Sequence, residues 1–336
     1  MTNFITLFVL FVCSLCLTHL ILVYSLKKNI LDVPNQRSSH KIATPRGGGL
    51  AFVCLFYMAT IILWLNNFIN GTIFLALLGG IPVALVGYCD DVFGVKAQWR
   101  MLVHFFSAFW GLAWLMSAHP SLLFFIFSLV TTVWFINLYN FMDGIDGLAG
   151  MEAVFVSAAA GFLLLINGSS IAYVCFALTF SVLGFLVLNW PPAKIFMGDV
   201  GSGFLGYIFA LLMWITNNGH PLLFPVWFIL LGVFIADASF TLIYRMMQKK
   251  QWWSAHREHA YQWLAQAGFS HQKITGGILC CNLFLCLPAT LIYLHFSSRS
   301  EPWPYLLMLS ASAWFVWLII IKNYHYKAGM LVNDQL

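Results

Sequence analysis

The chain is 336 residues long, 61% hydrophobic and only 8% charged, with a mean hydropathy of +0.87. No water-soluble domain of this length could keep such a composition on a solvated surface, so lipid is the solvent for most of it. The net charge of +5 reflects membrane orientation, as the order of the loops shows, and implies no nucleic-acid partner.

A spanning helix needs roughly 20 apolar residues. Eleven runs of about that length follow one another, at 4–26, 48–65, 73–89, 101–118, 121–138, 150–166, 171–188, 202–217, 222–246, 274–295 and 303–321. The first has no basic residue ahead of it, is followed by Lys27 and Lys28 and lacks a small-residue cleavage site, which predicts a retained helix. The expected fold is an all-α polytopic membrane protein forming one domain over residues 1–336, with no internal repeat or soluble domain. Cys13 and Cys16 form a CxxC inside the first apolar run, where packing accounts for them and no metal is assigned.

Lys and Arg accumulate in cytoplasmic loops. Fifteen of the 16 fall in alternate connections, and only Arg299 lies on the other side. With eleven spans this places the N-terminus in the periplasm and the C-terminus in the cytoplasm. Of the 11 acids, Glu301 alone then faces outward, so the chemistry belongs on the inner face, in five segments.

The first, from Asp32 to Gly49, supplies bases including Arg46 and three consecutive glycines, either to hold an anionic substrate or simply as a positive-inside cluster. The second ends an apolar helix with Asp90 and Asp91 next to Gly94. Acids there are costly to bury unless paired or bound to a cation, and a solvated helix end is the plain alternative. Adjacent residues point roughly 100° apart on a helix, so different roles are expected for the two.

The third segment, from Asn137 to Gly150, places an amide or carboxylate every three residues at Asn137, Asn140, Asp143 and Asp146, with Gly144 among them and Gly147 and Gly150 following. Oxygen ligands of this kind suit a hard divalent cation, and Mg²⁺ usually completes its shell with water and substrate phosphates. The fourth, Asn189 to Gly203, sets Asp199 in a glycine-rich turn that opens a helix, where backbone N–H groups can take phosphate oxygens. The fifth carries His256, Arg257 and His259, readable as a zinc pair or a phosphate clamp, after the expected interfacial anchors Trp252 and Trp253.

With these residues in view, the chain resembles the polyprenyl-phosphate N-acetylhexosamine-1-phosphate transferases, which include the phospho-N-acetylmuramoyl-pentapeptide transferase. The likeness runs from about Asp32 to His259, and rests most on Asn-Phe-Met-Asp-Gly-Ile-Asp-Gly-Leu (140–148) and Phe-Met-Gly-Asp-Val-Gly-Ser (196–202). It implies a bundle of ten or eleven helices and an inner-face cleft. It also implies Mg²⁺, with Mn²⁺ as the alternative ion, and transfer of a sugar 1-phosphate from a UDP-sugar to undecaprenyl phosphate with release of UMP. Matched position by position, Asp199 and Asn140 fall on the metal site and Asp90 and Asp91 on the paired catalytic acids. Asp143 and Asp146 fall on acids near nucleotide and metal, and His256, Arg257 and His259 on a substrate loop. Partners implied are undecaprenyl phosphate, a UDP-N-acetylhexosamine and the bilayer of a bacterial inner membrane, with a homodimer as one open state.

The run of consecutive histidines that marks the muramoyl-pentapeptide branch is here His-Arg-Glu-His-Ala-Tyr-Gln (256–262). With Asn-Trp-Pro-Pro-Ala-Lys (189–194), that form looks like the branch that starts O-antigen or related surface polysaccharides from UDP-N-acetylglucosamine or a 6-deoxy relative such as UDP-N-acetylfucosamine. An ion-coupled transporter would also keep acids in membrane helices, but nearer the midplane. An intramembrane aspartyl protease could use Asp90 and Asp199, but leaves the third segment and the histidine loop without a purpose.

Overall fold

The computed structural model describes residues 2–34, 42–116, 121–217, 224–251 and 256–296. The apolar run 303–321, Arg37, Lys41, Trp252, Trp253, Arg299, Glu301, Lys322 and Lys327 lie outside these residues. The described part is almost wholly helical, in the order α1 (Thr2–Lys28), β1 (Leu31–Asp32), β2 (Thr44–Pro45), α2 (Gly49–Leu65), α3 (Gly71–Leu77), α4 (Gly80–Phe93), α5 (Ala97–Leu115), α6 (Leu122–Phe141), α7 (Leu148–Ile166), α8 (Ile171–Asn189), α9 (Asp199–Asn217), α10 (Phe224–Leu230), α11 (Gly232–Met247), α12 (Ala260–Gln266), α13 (His271–Cys281) and α14 (Leu287–Phe296). A π-helical turn at Asn282–Cys286 joins the last two.

Seven helical stretches are long and apolar enough to cross a membrane, or eight if α10 and α11 count as one span. That pair is bent by 80° where the sequence predicts one continuous run over 222–246. The break falls at Leu231 and Gly232, and glycine weakens a helix at the point where packing bends it. Large apolar side chains such as Phe106, Leu123, Ile166 and Phe284 are exposed around the outside, as lipid contact requires.

The centre of the bundle is α9, buried from Val200 to Thr216 and packed against α2, α4 and α6. Its glycines permit this. A Cβ on Gly201 would stand 3.0 Å from the Gly49 Cα, and one on Gly206 would stand 2.4 Å from the Phe135 carbonyl oxygen. Helices in lipid associate through such small-residue contacts because lipid offers no hydrophobic driving force between them. The same tight packing brings one end each of α4, α6 and α9 together, and those ends carry Asp90, Asp91, Asn140 and Asp199.

The first polar segment is tied to this centre through main-chain bonds. The β1–β2 ribbon pairs Leu31 with Pro45 and Asp32 with Thr44. From there the Phe196 N–H donates to the Pro45 carbonyl at 2.8 Å, the Gly48 N–H to Phe196 at 3.0 Å and the Gly49 N–H to Met197 at 2.9 Å. The seam holds Arg46 beside the turn that precedes Asp199.

Candidate active site

Asp90 and Asp91 separate, as expected of neighbours on a helix. The Asp91 carboxylate accepts the Asp199 N–H at 3.1 Å and the Val200 N–H at 3.3 Å. These are the first orphan donors of α9, so a side chain from α4 caps a helix 108 residues further along, with its negative charge at the positive end of the dipole. The fit is close. Gly198 has φ +76°, and a Cβ there would meet Asp91 Oδ2 at 2.3 Å, so only glycine serves both demands. Arg46 Nη1 stands 3.9 Å from Asp91 Oδ1.

Asp90 instead faces the open end. One oxygen accepts the Val95 N–H at 2.6 Å, and the other pairs with Arg100, from the first turns of α5. The same guanidinium nitrogen reaches Asp199 Oδ2 at 2.6 Å, so Arg100 bridges two carboxylates from α4 and α9. Asp91 is only 4% exposed, whereas Asp90 and Asp199 keep 19% and 30%, which leaves the latter two reachable by a ligand. Asn140, in the last turn of α6, donates to the Ser202 hydroxyl at 3.0 Å and hydrogen-bonds Asp199.

Asp143 lies in the loop after α6 and is half-buried. Burial, with the nearby charges of Asp199, Asp91 and Asp146, pushes its carboxyl above the usual carboxylate range. Asp146 is committed to the scaffold. Its carboxylate accepts the Ala193 N–H at 3.1 Å and lies 3.2 Å from His271 Nδ1, while its carbonyl accepts Thr275 Oγ1 at 3.1 Å. With the Gly147 N–H donating to Asn189 Oδ1 at 3.2 Å, it fastens the Asp-Gly loop to the Trp-Pro-Pro loop and α13.

The histidine loop approaches from the α11 side. The His256 and His259 rings stack with centroids 4.9 Å apart, and Tyr261 Oη donates to the Phe141 carbonyl at 2.9 Å, beside Asn140. Burial, together with His259 and Arg245, lowers the His256 pKa to about 4, so that ring is neutral at pH 7. Glu258 pairs with Arg245 and Lys250, each at 2.9 Å, and despite partial burial these cations hold its carboxyl below its usual range. The Arg257 carbonyl accepts from Gln266 at 3.0 Å.

A divalent ion fits the acid cluster in kind. Asp90, Asp199, Asn140 and Ser202 offer hard oxygen donors, and the Arg100 guanidinium already places positive charge between the two carboxylates. Among the described residues no three His, Cys, Asp or Glu side chains form a cage on their own, as suits Mg²⁺, which is commonly held by one or two carboxylates plus substrate phosphates. Two site residues escape sequence reading. Arg100 is counted there only as a positive-inside charge, and Asp237 as part of an apolar run, although a lone acid in such a run is itself a signal.

A lipid-facing helical bundle that gathers carboxylates, an amide and guanidiniums where helix ends meet loops has the make-up of a polytopic membrane enzyme for charged, phosphate-bearing substrates. The chain belongs to glycosyl transferase family 4, whose profile matches residues 73–217, from α3 to the end of α9. It is 30% identical over 290 residues to a Bacillus subtilis (strain 168) protein named a probable undecaprenyl-phosphate N-acetylglucosaminyl 1-phosphate transferase, covering 77% of this chain and 76% of that one. The phospho-N-acetylmuramoyl-pentapeptide-transferase of Fervidobacterium nodosum is 29% identical, over 74% of this chain and 83% of its own. The undecaprenyl-phosphate alpha-N-acetylglucosaminyl 1-phosphate transferase of Escherichia coli (strain K12) is 27% identical, over 88% and 85%.

Proposed function

We propose that the protein transfers an N-acetylhexosamine 1-phosphate from a UDP-sugar to undecaprenyl phosphate, releasing UMP, on the cytoplasmic side of a bacterial inner membrane that it crosses eleven times. The observation that carries this is the joining of Asp90, Asp91, Asn140 and Asp199 from three helices into one cluster flanked by Arg46 and Arg100. Relatives named for N-acetylglucosamine and for muramoyl-pentapeptide transfer are about equally similar, so the choice between them rests on the His-Arg-Glu-His loop. That form favours the surface-polysaccharide branch, with UDP-N-acetylglucosamine or UDP-N-acetylfucosamine as donor.

In the reaction an oxygen of the lipid phosphate attacks the β-phosphorus of the donor, and the bond from that phosphorus to the UMP oxygen breaks. A phosphate monoester with a second pKa near 6 is already mostly dianionic at neutral pH, so Asp90 need not be a strong base. Asp90 and Asp199, with Asn140, would hold Mg²⁺, which supplies charge neutralisation at the pyrophosphate. Asp91 fixes the start of α9, so that Asp199 and the Gly198 turn keep their positions. Arg46 and Arg257 of the histidine loop contribute cationic groups for the substrate phosphates.

The test is transfer of radiolabel from each UDP-sugar to undecaprenyl phosphate in detergent, with Mg²⁺ or EDTA, for wild type and Asp199→Asn. Metal-dependent labelled lipid that drops by at least ~10²-fold in the variant is expected. Failure of a panel of UDP-sugars with folded, Mg²⁺-replete protein would end the transferase reading.

A further inference from the structure

Asp237 lies on α11, apart from the acid cluster, with its side chain buried. Its Oδ1 accepts the Ala260 N–H at 2.8 Å and the Thr241 hydroxyl at 3.1 Å, and its Oδ2 accepts the Tyr261 N–H at 3.1 Å. Those two N–H groups open α12, so the carboxylate caps them from α11, beside the Gln262 side chain that takes the His259 N–H at 3.3 Å. Oδ1 also stands 3.6 Å from His259 Nδ1, an ion-pair distance beyond hydrogen-bond reach. His259 in turn stacks between His256 and Tyr261, with centroids 4.9 and 5.8 Å away, and Tyr261 reaches the end of α6.

A neutral Ser, Thr or Asn caps a helix as well as Asp does. An acid buried in an apolar helix is costly, so the charge is the feature that needs a reason. Among the described residues, the ionisable side chain at ion-pair distance from Asp237 is His259, at 3.6 Å. We propose that Asp237 is a positioning residue for the histidine loop, fixing the backbone at His259 to Tyr261 and giving the His259 imidazole a fixed negative partner. The loop then presents one set arrangement to the diphosphate of the donor. This rests on the reading that the histidine loop holds donor phosphate.

The test measures UDP affinity by calorimetry with full-length protein in detergent and Mg²⁺, for wild type, Asp237→Asn, Asp237→Glu, His259→Gln and the Asp237→Asn/His259→Gln double variant. Asn keeps the shape and the capping oxygen and loses the charge, whereas Glu keeps the charge and spoils the cap geometry. The expected result is about tenfold weaker binding for Asn and for Gln, no more than twofold further loss in the double variant, and Glu within about threefold of wild type. Wild-type affinity in Asp237→Asn beside a weakened His259→Gln would reduce Asp237 to a cap and leave the loop reading standing. Wild-type affinity in His259→Gln as well would remove both.

Discussion

Arg100 is the residue whose position says most about the site, because a single guanidinium nitrogen pairs with Asp90 and with Asp199. Removing it leaves two facing carboxylates with no cation between them. All three side chains keep partial access to solvent, so Arg100→Met should cost about 1–2 kcal/mol, less than a fully buried pair would. A divalent ion would take over the same neutralising position. The expected outcome is a melting temperature that falls in EDTA and rises on adding Mg²⁺ by more than in wild type, read from unfolding curves of purified protein. Equal Mg²⁺ responses in variant and wild type would make Arg100 an ordinary interfacial charge and remove the argument that its guanidinium marks a cation position.

At the scale of elements, the site exists because α9 lies close against α4 and α6. Gly206 marks where this is tightest, since a Cβ would meet the Phe135 carbonyl oxygen at 2.4 Å and the Ile136 Cα at 2.7 Å, both of them backbone. Gly206→Ala must therefore push α6 away from α9, at about 1–3 kcal/mol for overpacking. Asn140 is one turn beyond Ile136 and Ser202 one turn before Gly206, so the same displacement separates Asn140 from Ser202 and Asp199. Transfer should fall by at least ~10-fold, because small misplacements of positioned groups are costly. Gly276→Ala is the control, with nothing within 4 Å of its added Cβ, and should leave activity unchanged. The three-residue spacing of Asn140, Asp143 and Asp146 and the glycine-rich turn around Asp199 made these residues legible as candidates in the sequence. That Asp91 caps α9 while Asp146 bolts loops together was not legible, since both depend on partners far along the chain, at Asp199 and Ala193.

At the scale of the whole molecule, lipid makes much of the architecture readable, because a spanning helix must be long, apolar and internally hydrogen-bonded. The first ten apolar runs each coincide with a helix or a joined pair of helices. What hydropathy does not register is direction within a run. The 80° turn at Leu231 and Gly232 leaves apolarity unchanged, yet it brings α11, and with it Asp237 and Arg245, to the histidine loop. The count of spans decides which side each end occupies. With eleven, the Lys-rich and Arg-rich loops and the acid cluster share the cytoplasm with the C-terminus, whereas ten would put the C-terminus outside. Green fluorescent protein fused after residue 336 should therefore fluoresce, since it folds in the cytoplasm, and alkaline phosphatase fused there should be inactive. Phosphatase inserted in the uncharged Asn167 to Ser170 connection should be active. An active phosphatase at the C-terminus together with an active one at Asn167 to Ser170 would mean ten spans, with the acid cluster still cytoplasmic. An inactive phosphatase at Asn167 to Ser170 would invert the bundle and place the cluster where no nucleotide-sugar is supplied, which the proposed reaction could not survive.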